Sequence, residues 1–352
     1  MLSFALVGCG RIARRHAELL GRCQIAGARL AAVCDVIAEK ARGMGEQFAV
    51  PWFTDFREMA EVVSPDVFVI LTESGRHADH VIALASYRKH IVVEKPMALT
   101  LESADAMIRA CDKFGIRLFV VKQNRFNLPV VKLREALEAG RFGKIILGTV
   151  RVRWCRRQDY YNQDKWRGTW ALDGGVLTNQ ASHHVDLLEW MLGDVESVFA
   201  KSATALANIE TEDTAVVLLK FRSGALGLIE ATTATRPRDL EGSISILGEH
   251  GTVEIGGFAV NEMRTWAFDQ ETEDDSRVIE NFSVNPPNVY GFGHQAYYEH
   301  VMDCLQNDRE QLVDGLEGRR SLELISAIYE SIETGREVTM RFVPRLCRLG
   351  QR

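Results

Sequence analysis

The chain has 352 residues, enough for two domains with a sizeable buried core. Its balance of 46% hydrophobic and 26% charged residues, with a formal net charge of −6, is that of a soluble globule and argues against a surface devoted to nucleic acid. No apolar run is long enough to cross a bilayer, no basic leader with a cleavage site precedes the first strand, and seven cysteines without a CxxC pair fit reduced cytoplasmic thiols better than disulfides or zinc.

Residues 3–7 are short, apolar and β-favouring, and predict a buried parallel strand. Gly8 permits the tight turn that follows, Gly10 lets the backbone approach a pyrophosphate, and Ala13 lets the next helix, near 12–20, pack closely on the strand. The N–H groups of that helix start, at Arg11 and Ile12, would then face a diphosphate. A glycine turn alone is weak evidence. Here a second strand at 30–34 ends in Asp35, 22 residues after Ala13, about the spacing at which a carboxylate accepts from the adenosine ribose hydroxyls. Val36, Ile37 and Ala38 follow, with no arginine to neutralise a 2′-phosphate, so NAD is favoured over NADP, a preference that Arg42 could reverse by swinging in.

Further along, the pattern predicts helix 37–47, the pair Trp52-Phe53, helix 56–63, strand 67–71, helix 78–86, strand 91–93, helix 101–113 and strand 117–121. Strands separated by helices imply right-handed βαβ units and a doubly wound parallel sheet in an N-terminal domain over 1–121. Ligands on such sheets sit beyond the carboxyl ends of the strands, where 8–13, Asp35, 71–75 and 94–96 all fall. Over 122–352 the character changes. A helix at 130–139 is followed by β-rich runs at 145–154, 195–205, 215–221, 225–233, 243–247 and 252–255, with turns such as Arg222-Ser223-Gly224. These predict an α+β domain with a large, mostly antiparallel open sheet, making the whole chain α/β. Helices return at 295–306 and 316–333, and the basic tail 345–352 is expected to fray.

Five blocks carry a resemblance: Gly8-Cys9-Gly10-Arg11-Ile12-Ala13, Asp35, Glu94-Lys95-Pro96, Trp166-Arg167, and the run 174–186 from Gly-Gly-Val-Leu-Thr-Asn to His-His-Val-Asp. In these, over nearly its whole length, the chain resembles the Gfo/Idh/MocA family (glucose–fructose oxidoreductase, inositol dehydrogenase and relatives). The resemblance implies an N-terminal Rossmann domain binding NAD, a C-terminal open-sheet domain, and oxidation of a sugar or polyol at one secondary carbinol.

Lys95 and His183 are the candidate catalytic residues. A lysine is usually a solvated surface group, but Lys95 follows Ile91-Val92-Val93 and precedes Pro96, which fixes the backbone at the strand end. From there its ammonium could bond the reacting hydroxyl and stabilise developing alkoxide charge. A histidine in an apolar helix, beside Val185, Leu187 and Leu188, is often a satisfied core residue; the resemblance implies that His183 accepts the hydroxyl proton as hydride leaves. Where the family often has an aspartate four residues earlier, this chain has Asn179. An amide can orient the ring but cannot stabilise its charged form as a carboxylate would, so either His183 works without a dyad or Lys95 takes more of the proton transfer. His184 points about 100° away around the helix.

The resemblance also implies that Trp166 and Arg167 border the nicotinamide, that Glu94 faces the cofactor, and that Thr72, Ser74 and His77 lie near its ribose, with Glu73 replacing the usual proline. His77 and His80 have metal-ligand spacing, but helix-start and surface histidines are the simpler reading and no metal is expected.

Substrate clues lie in 151–170, where Arg151, Arg153, Arg156, Arg157, Lys165 and Arg167 interleave with Trp154, Tyr160, Tyr161, Trp166 and Trp170. Such a stretch could stack on single-stranded bases, or be an amphipathic strand with snorkelling arginines. In an acidic dehydrogenase a small anion fits better, with arginine forks for phosphate or carboxylate and aromatics for a sugar face or uracil. Residues 160–175 are similar to one family branch, which oxidises UDP-N-acetylglucosaminuronate at C3 in surface-polysaccharide synthesis; this implies substrate contacts from Lys95, Arg153, Tyr160, Asn179 and His183. A dehydrogenase of a free sugar, inositol or other polyol is the rival within the class, and a non-catalytic NAD-sensing regulator the rival outside it. The expected partners are a small-molecule nucleotide sugar and further copies of the chain, as dimer or tetramer through the exposed sheet face used by relatives, with neither nucleic acid nor membrane.

Overall fold

Short apolar runs alternating with amphipathic helices build a six-stranded, all-parallel sheet from β1 (Leu2–Val7), β2 (Ala28–Cys34), β3 (Trp52–Phe53), β4 (Val67–Ile70), β5 (His90–Val93) and β6 (Leu118–Val120), in the order β3-β2-β1-β4-β5-β6. Phe4, Ala5, Leu6, Val67, Phe68, Val69 and Ile70 are all wholly buried, as a sheet covered on both faces requires. The order reverses between β1 and β4, so the open crevice of a doubly wound sheet falls at the ends of those two strands. The structure is a computed structural model and describes residues 1–283, 291–341 and 347–351.

The chain divides into two units: Met1–Lys122 with His294–Arg319, and Gln123–Gly293 with Arg320–Arg352. Residues 294–319, well beyond the 121/122 boundary expected from sequence, thus return to the first unit. Tyr297 and Tyr298 are fully buried there; Tyr298 packs edge-on against Phe4 at 5.8 Å, and Arg319 pairs with Asp105.

In the second unit β7 (Ile145–Arg153), β8 (Val195–Ala203), β9 (Thr214–Phe221), β10 (Leu226–Thr232), β11 (Glu241–Gly248), β12 (Gly251–Gly256), β13 (Glu262–Phe268) and β14 (Val338–Thr339) form one sheet, ordered β13-β12-β11-β7-β10-β9-β8-β14. Only β7 and β10 run parallel; the other neighbours are antiparallel. One face is the core: Val150, Val152, Val217, Ile229, Ala231, Ile244 and Ile246 are wholly buried. The helix Ser182–Leu192 lies on this face, and Gly148 of β7 lets it come close, since a Cβ there would stand 2.8 Å from the Leu188 and Leu192 side chains. The other face leaves Val216, Leu218 and Leu226 exposed.

β13 and β14 escape the sequence reading. In β13 a register slip opposite Glu254 and Ile255 breaks the alternation, so Met263, Trp266 and Phe268 are buried without a strict period of two. The tail 345–352, expected to fray, lies partly outside the described residues; within 347–351 the chain does not fray, because Leu349 is buried, the Gly350 N–H donates to the Trp170 carbonyl at 2.9 Å, and the Arg348 guanidinium covers the Trp170 ring. The seven cysteines are free thiols, four of them buried. Among the described residues no helix is long and apolar enough to cross a membrane.

Candidate active site

The first unit builds a dinucleotide cradle at the end of β1. Gly8 has φ +103°, and a Cβ on it would lie 2.7 Å from the Leu71 carbonyl oxygen, so this turn admits only glycine. At Gly10 a Cβ would meet nothing within 4 Å, which leaves open space above the start of the helix Arg11–Gly21. Asp35 folds back over the turn: one carboxylate oxygen accepts the Cys9 N–H at 2.8 Å and the other the Ile37 N–H at 2.9 Å. Each oxygen keeps lone pairs for ribose hydroxyls. Burial, reinforced by the Asp35 charge, pushes the Cys9 and Cys34 thiols up to about 12, so no thiolate faces a diphosphate. A turn closed to side chains, an open helix start and a fixed acid fit an adenine dinucleotide.

The ends of β4 and β5 carry the next group. The Thr72 hydroxyl lies 3.2 Å from His80 Nδ1, and Ser74 is buried in the single turn Ser74–Arg76. The reading of His77 as a ribose contact changes: its ring bridges two backbone carbonyls, Nδ1 2.9 Å from Pro96 O and Nε2 3.0 Å from Thr72 O. These bonds also remove it from any metal pair with His80.

Glu94 is turned inward rather than toward a ligand. It is 6% exposed, its Oε1 stands 3.1 Å from His16 Nε2, and its Oε2 accepts the Lys95 N–H at 2.9 Å. Burial would push its pKa up, but hydrogen bonds from His16 and His294 hold it well below the usual carboxylate range. The Tyr298 hydroxyl lies 2.6 Å from His16 Nδ1 and completes the cluster. The donor atoms of His16, Glu94 and His294 lie within 4.8 Å of one another, a set able to hold a transition metal. Their separation along the chain hides this from sequence. Lys95 follows Glu94 past the end of β5 and is half-buried.

In the second unit His183 opens the helix Ser182–Leu192 and is 7% exposed. Its Nε2 lies 2.8 Å from the Gln123 amide nitrogen. Gln123 sits in the single turn Gln123–Phe126, which Arg125 fastens to the His183 helix by two 2.8 Å bonds to the Asp186 carboxylate, both residues being almost fully buried. Sequence reasoning did not find Gln123 or Arg125. The usable signal was Asp186 itself, since a buried acid among Val185, Leu187 and Leu188 needs a cation. His184 turns toward the sheet, edge-on to Trp154 at 6.1 Å, and burial pushes its pKa down to about 4.

The loop before this helix is held from below. The Asn179 amide donates to Asp173 Oδ1 at 2.5 Å, while Asp173 Oδ2 accepts the Gly168 N–H at 2.8 Å. Glu212 Oε1 accepts the Leu177 N–H and the Tyr329 hydroxyl, both at 3.0 Å, and burial pushes this acid up to about 7.

The arginine-rich stretch proves largely self-paired. Arg153 is clamped across the sheet by Glu230 at 2.6 Å and Glu241 at 2.9 Å, so two carboxylates already occupy the guanidinium expected to meet substrate. Arg156 pairs with Asp239. Arg167 donates to Asp164 at 3.0 Å and to the Tyr160 hydroxyl at 2.8 Å, with its guanidinium 4.6 Å from the ring centres of Tyr160 and Trp166. Lys165 and Arg167, with Tyr161 and Asn208, line a cleft of about 380 Å³, a volume suited to a small molecule.

Residues 2–122 match the oxidoreductase-family NAD-binding Rossmann fold, and residues 134–340 match that family's C-terminal alpha/beta domain. The chain belongs to the Gfo/Idh/MocA oxidoreductase family. Among solved structures this Gfo/Idh/MocA protein is similar to the WlbA dehydrogenase of Bordetella pertussis in complex with NADH and UDP-GlcNAcA, at 44% identity over 97% of this chain and 98% of that one, with a TM-score of 0.93. A second WlbA complex with the same ligands, from Chromobacterium violaceum, matches at 42% identity over 97% and 96%, with a TM-score of 0.91. Among curated relatives, the myo-inositol 2-dehydrogenase of Thermotoga maritima is 29% identical over 97% of this chain and 99% of its own. The Gfo/Idh/MocA chain is an NAD-dependent dehydrogenase with an NAD-binding Rossmann domain.

Proposed function

We propose that this dehydrogenase oxidises the C3 hydroxyl of UDP-N-acetylglucosaminuronate to a ketone in surface-polysaccharide synthesis. The observation that carries this reading is the pair of WlbA complexes, at 44% and 42% identity along nearly the whole chain, against 29% for the inositol dehydrogenase. The cleft lined by Tyr161, Lys165 and Arg167 supports it, since cations and an aromatic suit a diphosphate or uronate joined to a base.

NAD, when bound, supplies the hydride acceptor. Lys95 donates a hydrogen bond to the reacting hydroxyl and stabilises charge developing on that oxygen. His183 takes the hydroxyl proton while the C3–H pair of electrons leaves as hydride, so that the carbinol becomes the 3-keto sugar and one proton remains on the ring. Trp166 and Arg167 border the nicotinamide in this reading, and Thr72, Ser74, Tyr160 and Asn179 line the ligands. Arg153 contributes only where it leaves Glu230 and Glu241. The exposed Val216, Leu218 and Leu226 on the open sheet face support self-association as a dimer or tetramer, and NAD chemistry on a nucleotide sugar supports a cytoplasmic reaction.

The second reading, a dehydrogenase of inositol or another free polyol, is favoured by the curated inositol 2-dehydrogenases, which match along almost the full chain. NADH formation with NAD and a panel of UDP-uronates, free hexoses and inositols separates the two. Activity on inositol alone would overturn the nucleotide-sugar assignment, and NAD binding without turnover on any member would favour a sensing role.

A further inference from the structure

His77 opens the helix His77–Ala85, is 1% exposed, and meets a backbone carbonyl with each ring nitrogen: Pro96 O at 2.9 Å and Thr72 O at 3.0 Å. Thr72 lies just past β4, and Pro96 follows Lys95 just past β5, so one imidazole spans the carboxyl ends of two neighbouring strands. A carbonyl oxygen only accepts, so each contact needs an N–H on the ring. Neutral imidazole has one and imidazolium has two. On the other side of Lys95, its own N–H is taken by Glu94 Oε2 at 2.9 Å, while Glu94 Oε1 is held by His16. Lys95 is therefore flanked by two tethered peptide units, one through Glu94 and one through His77.

We propose that His77 is a positioning residue for Lys95, its ring wedged between the Pro96 and Thr72 carbonyls and donating its N–H there so that the strand end presents the ammonium at one fixed place. This rests on the reading of Lys95 as the residue that bonds the reacting hydroxyl. His77 acts through Pro96 and contacts neither sugar nor cofactor. Burial of the ring, against the opposing pull of the two carbonyls and Glu94, holds its pKa below the ordinary value, so the ring is neutral and its single N–H bonds one of the two carbonyls at a time. The same contact ties Lys95 to the 72–76 segment, so displacement of either strand end is felt at the other.

The test compares His77→Phe, His77→Gln and Lys95→Met in the full chain, reading kcat, KM for the active sugar, NAD affinity by titration and the circular dichroism spectrum. Phenylalanine keeps a ring but donates nothing; glutamine keeps one N–H for a carbonyl. The expected result for His77→Phe is a kcat loss of about 30-fold or more with NAD affinity within about threefold, because a small displacement of a reacting group is costly. His77→Gln recovers most of that loss. A His77→Phe enzyme with wild-type kcat beside an inactive Lys95→Met enzyme overturns the positioning role alone. Turnover by Lys95→Met overturns the Lys95 reading itself. Should His77→Phe fail to fold, His77→Ala takes its place: wild-type kcat, or parallel losses of NAD affinity, KM and kcat, overturns the proposal, whereas a kcat loss with NAD affinity kept supports it.

Discussion

The Gln123 amide nitrogen stands 2.8 Å from His183 Nε2. An amide N–H donated to that nitrogen fixes the tilt of the ring through its one lone pair, and His183 takes the substrate proton at Nε2 when the reacting hydroxyl displaces the Gln123 amide. Gln123→Leu keeps the volume and removes the donor. The expected outcome is a kcat reduced about fivefold, equivalent to one hydrogen bond of about 1 kcal/mol, with NAD affinity unchanged. Steady-state kinetics beside an NAD titration check it.

The turn bearing Gln123 is fastened by Arg125 to Asp186, with side chains 3% and 1% exposed. Removing one partner leaves a buried charge uncompensated. Asp186→Asn is expected to destabilise the protein by about 3–5 kcal/mol, while the double change Arg125→Met with Asp186→Leu recovers a large part of that loss. Urea denaturation of the wild type and the two variants measures both numbers.

Glu212 gives the fold a pH dependence of its own. Burial raises its folded pKa to about 7, above the ordinary value of 4.5. The unfolded chain therefore releases this proton first. The stability contribution is full below about pH 4.5 and is lost as the pH rises through 7. Glu212→Gln retains an oxygen for the Leu177 N–H and the Tyr329 hydroxyl without that charge. Between about pH 5 and 8 the wild type is expected to lose up to about 3 kcal/mol relative to the variant, seen as a converging or crossing pair of melting-temperature curves. Parallel curves would remove Glu212 from the account.

The proposed chemistry separates turnover from cofactor binding. Lys95→Met and His183→Ala are each expected to lower kcat by about 10²–10⁴-fold while NAD still binds. Asp35→Ala, which frees the Cys9 and Ile37 N–H groups and removes the ribose partner, is expected to weaken NAD far more than sugar. Isothermal titration with each ligand, beside NADH absorbance, checks all three.

What could be read in advance follows from what is local. The glycine turn, Asp35 and the apolar strands are set by neighbouring residues, and the helix and strand limits follow within a few positions. That the two histidines sit in a helix was legible from the apolar Val185, Leu187 and Leu188 beside them. Long-range pairing was not. Glu94 turns inward because His16 and His294 meet it from distant parts of the chain, and the return of 294–319 follows from that same cluster and from Tyr298 on Phe4. Arg153 looked free because Glu230 and Glu241 lie 77 and 88 residues away along the chain. His77 carried no sign that backbone carbonyls would occupy both nitrogens.

The central claim, hydride transfer from one named carbon to NAD, is met most directly by UDP-N-acetylglucosaminuronate bearing deuterium at C3. With enzyme and NAD, mass spectrometry of the NADH formed should find the label in the nicotinamide ring, and the labelled sugar should react more slowly than the unlabelled one. Unlabelled NADH, or no NADH while myo-inositol is oxidised freely, would contradict the account.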